Sequence, residues 1–325
     1  MNSSFASPTP VPFEDRKTGL VVFGILTILF GVVCALFVLL LGIMPTGMPQ
    51  AGTSTPTAAP SLLPAMLMYG ALAVILIWLG IGSILARRWA RALLLIFAWS
   101  CLLMGAMSIG MMAIMWPSMM DAMNAGNPSK EPISSVFLLI PMFIFGLLTL
   151  VIPGGWILFY RSPHVKATCE ARDPVVRWTD RCPLPVLAVC FWLGFSAASM
   201  LLMTGVYRSV IPVFGTFVSG PAGAALYLLF ACLWVYAAWS LYKLEWRGWW
   251  IVIVSVLLFA ASAFVTYSQR DIMELYTLMG YPEDQIALIK QYSFMNSQTI
   301  AWATLAGMIP FIGYLLYVRK FLRTA

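Results

Sequence analysis

The chain's only histidine, His164, is followed by Cys169 and Cys182 within one polar stretch, Arg161 to Pro183. Imidazole nitrogen and thiolate sulfur are zinc ligands, and two thiols are a redox couple, so chemistry is sought here first. The spacing, His-x4-Cys-x12-Cys, lacks the close Cys-x-x-Cys pair of structural zinc sites. The same stretch carries Arg172, Arg177 and Arg181 beside Trp178. That composition suits a segment lying along a membrane surface, with guanidinium groups on lipid phosphates and an indole among the headgroups. The expectation is this interfacial arrangement, with His164, Cys169 and Cys182 as the alternative, metal-ligating reading.

A second constellation is methionine. Thioether sulfur is a soft ligand for Cu(I). Met104, Met107, Met111 and Met115 recur at helical spacing, and Met119 and Met123 continue the stripe. Its outer part, Met111, Met115, Met119 and Met123, is a second metal-ligating set. Against copper, the apolar span 248–268 has no methionine, and methionine stripes more often supply adaptable packing. The third constellation is the segment 269–293, where Pro282 followed by Glu283 and Asp284 signals a helix start. It reads as two short amphipathic helices broken at Gly280 and lying on the outer surface, as a connector or a cap.

Several chemistries are excluded. One histidine rules out a His-Glu-x-x-His protease site and multi-histidine copper or haem sites. No Gly-x-x-x-x-Gly-Lys loop and no complete Gly-x-Gly-x-x-Gly occurs. No cofactor is assigned, and the balance of motifs leans away from an enzyme.

The elements that must position these residues are membrane spans. The chain is 61% hydrophobic and 10% charged. A bilayer core about 30 Å thick needs roughly 20 apolar residues per helix. Eight stretches qualify, near 19–44, 62–86, 92–116, 134–160, 184–207, 221–243, 248–268 and 298–318, and none has a charged residue in its interior. In lipid every backbone polar group must be satisfied within the segment, so these are helices, and no strand-length alternation is found. Ion-coupled pumps keep ionisable groups at bilayer depth, so proton coupling is disfavoured. Cys34, Cys101, Cys190 and Cys232 fall within the spans and act as small hydrophobes.

Fifteen of the 19 Lys and Arg fall on one side of these spans, including Arg87, Arg88 and Arg91 in a tight turn and the five of the central stretch. The positive-inside rule puts that side, with both termini, in the cytoplasm. The inside then carries +9 and the outside −2, so the +7 net charge is topological and gives no support to nucleic-acid binding. The arginines of the 87–91 turn are expected to reach lipid phosphates, and a disulfide in the central stretch is not expected in a reducing compartment. The span 19–44 is too long for a signal-peptide core and reads as an uncleaved anchor.

The two halves echo each other. At an offset of 157, SILARRWARALLLI (83–96) falls on SLYKLEWRGWWIVI (240–253), and IPGGWILFY (152–160) on IPFIGYLLY (309–317). The expected fold class is all-α transmembrane, with eight helices in two parallel four-helix repeats. A cytoplasmic tail, 1–18, precedes repeat 1 (19–160). The linker 161–183, repeat 2 (184–318) and a tail, 319–325, follow. Gly24, Gly31, Gly80, Gly194 and Ala198 are expected at close helix contacts.

The hairpin SILARRWARALLL and the phrase EDRKTGLVVFGILTILFG resemble small four-helix membrane families of bacteria. The resemblance implies a polytopic inner-membrane protein and no particular chemistry. The expected partners are the bilayer, with anionic headgroups at the cytoplasmic face, and another membrane protein. The leading functional expectation is a non-enzymatic accessory or assembly component. The alternative is a transporter or channel for a neutral or hydrophobic small molecule, with its site between the repeats. A lipid-acting enzyme and Met-based copper handling rank lower.

The topology is checked with a reporter enzyme active only outside the cytoplasm. Fused after Ala325 it is expected to be silent, and inserted within 50–60 it is expected to be active; activity at the C-terminus refutes the orientation.

Overall fold

In the computed structural model, residues 14–43, 63–125, 135–204, 207–292 and 297–322 are described. In chain order the helices are α1 (Lys17–Ile43), α2 (Leu63–Ile84), α3 (Arg88–Ala125), α4 (Ser135–Arg161), α5 (Pro163–Arg172) and α6 (Leu184–Thr204). They continue with α7 (Gly220–Tyr242), α8 (Trp246–Gln269), α9 (Ile272–Met279), α10 (Glu283–Tyr292) and α11 (Ser297–Val318). Eight of them, all but α5, α9 and α10, are long and apolar enough to cross a membrane, which makes this a multi-pass membrane protein. The third runs 38 residues, through Pro117, and continues past the expected end of the span at 116.

Between α1 and α2 the contact is backbone-close. A Cβ on Gly24 would lie 2.8 Å from the Gly80 carbonyl oxygen, one on Gly80 2.7 Å from that of Gly24, and one on Gly31 3.0 Å from that of Ala73. Small residues let helix backbones approach where lipid supplies no hydrophobic drive between helices. Gly194 and Ala198 depart from expectation. Both are exposed on α6, and nothing lies within 4 Å of a Cβ built on Gly194. The face of α6 that meets α7 is instead that of Ala197 and Met200, against Ala231.

Three indoles cross-link helices through hydroxyl groups inside the apolar layer. Trp156 Nε1 donates to Thr27 Oγ1 at 3.3 Å, Trp192 Nε1 to Ser100 Oγ at 3.0 Å, and Trp234 Nε1 to Ser255 Oγ at 3.2 Å. These tie α4 to α1, α6 to α3 and α7 to α8. Each is worth about 0.6 kcal/mol on the scale of interhelical bonds in membranes. Toward the linker end the spans share one apolar core. Leu20, Leu94, Tyr160, Leu187, Val252 and Leu315 belong to it, and each is 0% or 1% exposed.

The turns between α2 and α3 and between α7 and α8 close alike. Ala86 (φ 51°) and Leu244 (φ 63°) are left-handed. Their amides donate to Ser83 O and Leu241 O, and the next amides, of Arg87 and Glu245, to Gly82 O and Ser240 O. Such helix endings satisfy carbonyls left over by the last turn.

Sequence missed a β-hairpin. Ile211–Val213 (β1) pairs antiparallel with Thr216–Val218 (β2) across Phe214 (φ 38°) and Gly215 (φ 95°). Two positive φ values in a two-residue loop suit the twist of paired strands. The hairpin is pinned to α8: Phe214 N–H donates to Ser262 Oγ (3.0 Å), Gly215 N–H to Thr266 Oγ1 (3.0 Å), and Arg270 Nε to Gly215 O (3.1 Å). Three-residue strands are too short to register as alternation. Beyond α8, Asp271 caps α9 by accepting from Met273 N–H (3.1 Å), and Gly280 (φ 87°) separates α9 from α10.

Gly31→Leu is expected to lower the thermal midpoint in detergent by several degrees. Gly194→Leu is expected to leave it unchanged. Differential scanning fluorimetry of the two variants checks the pair, and equal shifts refute the assigned helix contact.

Candidate functional site

The polar residues converge where the linker packs under the ends of α1 to α4. Ser162 leads into Pro163, which starts α5 with a preset φ and no N–H to satisfy. Val165, Thr168 and Cys169 form the buried face of α5, while Lys166 and Glu170 stay exposed. The N-terminal segment lies along α5. Glu14 N–H donates to His164 Nδ1 (3.3 Å), Arg16 N–H donates to Thr168 Oγ1 (3.1 Å), and Arg172 pairs with Asp15 at 2.8 Å.

Asp173, just past α5, is the anchor. Its side chain is 2% exposed. It accepts from Arg177 Nη2 at 2.9 Å and Nε at 3.3 Å, with Arg87 Nη1 at 3.6 Å. Its backbone carbonyl accepts from Arg88 Nε at 2.6 Å, and Arg88 also donates to Glu170 O at 3.2 Å. Arg91 Nε donates to Tyr160 O at 3.0 Å. Deeper, Ser83 Oγ donates to Leu20 O (3.0 Å), so the Tyr160 hydroxyl, 2.7 Å from Ser83 Oγ, is the donor to it. One buried carboxylate and one buried hydroxyl pair thus join α1, the α2–α3 turn, α4 and the linker.

Charge follows from this geometry. The Arg177 hydrogen bond holds the Asp173 carboxyl below the usual aspartate value, with Arg88 and Arg87 adding to the effect. Asp15 is held low by Arg172. Burial pushes the Cys169 and Cys182 thiols up to about 11. At neutral pH both are thiols rather than thiolates, which opposes metal ligation and nucleophilic attack alike.

The structure gives most of these linker side chains protein surroundings. Cys169 and Cys182 are 1% and 4% exposed and belong to the apolar core, not to a wet surface. Arg172 and Arg177 have carboxylate partners, and Arg87, Arg88 and Arg91 bind protein oxygens. Of Arg172, Arg177 and Arg181, only Arg181 is exposed without a carboxylate partner among the described residues. Among those residues no three of His, Cys, Asp and Glu converge as metal ligands. His164 is half-buried and engaged through Nδ1 by the backbone of Glu14. Met111 is half-buried on α3, while the side chains of Met115, Met119 and Met123 lie outside the described residues. Glu274 pairs with Arg270 at 3.7 Å.

The sequence by itself gave no role to Asp173, Ser83 or Tyr160. The signal for Asp173 was its spacing of four from Arg177. Ser83 and Tyr160 carried none, because their pairing spans 77 residues.

The second half ends differently. Lys243 Nζ lies 4.9 Å from the Trp239 ring, Arg319 lies 5.0 Å from Trp246 and 5.9 Å from Trp249, and Lys320 lies 3.7 Å from Tyr317. Trp249 Nε1 donates to Leu315 O at 2.8 Å, linking α8 to α11. These cations rest on aromatic faces, the geometry of cation–π attraction.

No family model matches the chain, and comparison with curated proteins and with solved structures finds no match.

Asp173→Asn is expected to destabilise the fold by about 2 kcal/mol, because Arg177 and Arg87 lose a charged acceptor. The sign of the pH dependence follows from the lowered carboxyl. Its stabilisation is full above the unfolded aspartate value, about 4, and fades as pH falls through the folded value. Melting curves of both chains between pH 7 and 3 are therefore expected to converge on acidification, and a constant gap refutes the ion-pair role.

Proposed function

We propose that this chain is an inner-membrane protein with cytoplasmic termini, built by tandem duplication of a four-helix unit, that acts without catalysis as an assembly or accessory component for other membrane proteins. The observation that carries the reading is the seam between the halves. At the linker end it is a packed apolar core in which Leu94 of α3, Leu187 of α6 and Val252 of α8 are 0% or 1% exposed. The Trp192–Ser100 bond adds a fixed link between α6 and α3. A substrate path between repeats needs polar, water-accessible surface. A seam closed at the linker end suits a platform that presents its outer faces to neighbours.

Duplication is supported by parallel packing: α1 lies along α2 as α6 lies along α7, and α3 along α4 as α8 along α11. The left-handed turn residues are a further support. They match Ala86 with Leu244, one residue off the pairing that sequence similarity gives, Ala86 with Lys243. The charge asymmetry of the turns supports the orientation. Two short helices and a pinned hairpin after α6 and α8 give the second half an outer surface of its own.

Cross-linking in intact cells followed by purification of the full chain in mild detergent tests the role. A second membrane protein at fixed stoichiometry is the expected result. Recovery of the chain alone, together with solute uptake by vesicles that contain only this protein, overturns the reading in favour of transport.

A further inference from the structure

Along the lipid-facing side of α6 and α7 runs a groove of about 480 Å³, lined by Leu201, Ala231, Cys232, Val235, Tyr236 and Trp239. It is open toward the bilayer: Val235, Tyr236 and Trp239 are 56%, 50% and 60% exposed. From Cys232 to Trp239 the helix rises about 10 Å, at 1.5 Å per residue. That is most of the roughly 15 Å depth of one hydrocarbon leaflet, half the bilayer core.

One end of the groove is charged. Trp239 forms its wall, and Lys243 Nζ stands 4.9 Å from that ring. Lys243 is the C-cap of α7, where the helix dipole favours a cation. It pairs with no carboxylate among the described residues. An apolar slot of leaflet depth that ends at a cation held over an indole matches one class of molecule.

We propose that this groove holds an acyl chain of an anionic phospholipid whose headgroup phosphate sits on Lys243. A second protein helix in the groove would bring apolar surface against the ammonium and leave it without a counter-charge, which is costly. A lipid with a neutral headgroup fills the slot and gains less from Lys243. The inference rests on the membrane-spanning arrangement and is independent of the assembly role, so either can fail while the other stands.

The test is native mass spectrometry of the full-length chain in mild detergent, with equal amounts of phosphatidylglycerol and phosphatidylcholine of the same acyl chains. The wild type is expected to retain one phosphatidylglycerol in preference. Lys243→Ala is expected to reduce that preference about fivefold, the share of one basic residue near an anionic headgroup. Its thermal midpoint is expected to stay unchanged, because Lys243 is exposed. Val235→Trp and Cys232→Trp, which fill the groove from exposed positions, are expected to lower retention of both lipids. Equal retention of the two lipids by the wild type overturns the proposal. So does a preference that survives Lys243→Ala, undiminished retention in both groove-filling variants, or a second protein copy that displaces the lipid.

Discussion

A hydrocarbon layer offers no hydrogen-bond partner, and the rest of this structure depends on that constraint. Backbone groups that cross it must close their bonds locally, so the eight spans are helices. Polar side chains within the layer must find protein partners. Thr27, Thr149, Ser199 and Thr304 bond back to carbonyls of their own helices. Trp156, Trp192 and Trp234 use hydroxyls of a neighbouring helix instead, and so turn a solvation requirement into helix pairing. The same requirement holds the outer β-hairpin, whose turn amides bond to Ser262 and Thr266 of α8.

At the linker end the two halves solve one problem by different means. In the first half the turn arginines reach inward: Arg87 to a buried carboxylate, and Arg88 and Arg91 to carbonyl oxygens. The attraction is strong because Asp173 is screened from water. In the second half Lys243, Arg319 and Lys320 rest on tryptophan and tyrosine rings and keep their charge at the surface. The first half therefore has a closed electrostatic clamp. The second keeps its cations exposed, and the α6–α7 groove ends beside one of them, Lys243.

The same packing shows how the linker residues whose types are those of metal ligands are placed. Cys169 sits in the core on the buried face of α5, and burial keeps its thiol protonated. His164 already meets the backbone of Glu14. The residues whose types suggested chemistry are used to seat the linker and the N-terminal segment against the bundle.

What sequence determined by itself was the part governed by composition and length. Apolar runs of about 20 residues cross a bilayer whatever their neighbours do, so the eight spans were legible, as was the break at Gly280. Which face of each helix meets which neighbour was not. Gly31 and Gly194 look alike in sequence, yet one touches Ala73 and the other faces outward. A helix apolar all round has no moment to mark its buried side. The partners of Ser83, Asp173 and Cys169 were likewise hidden, because their contacts join segments far apart in the chain. The hairpin at 211–218 is too short to be periodic and exists because α8 supplies its hydrogen bonds. Tertiary packing alone decided these, since a side chain's solvent in this protein, lipid, water or core, is set by which helix stands next to it.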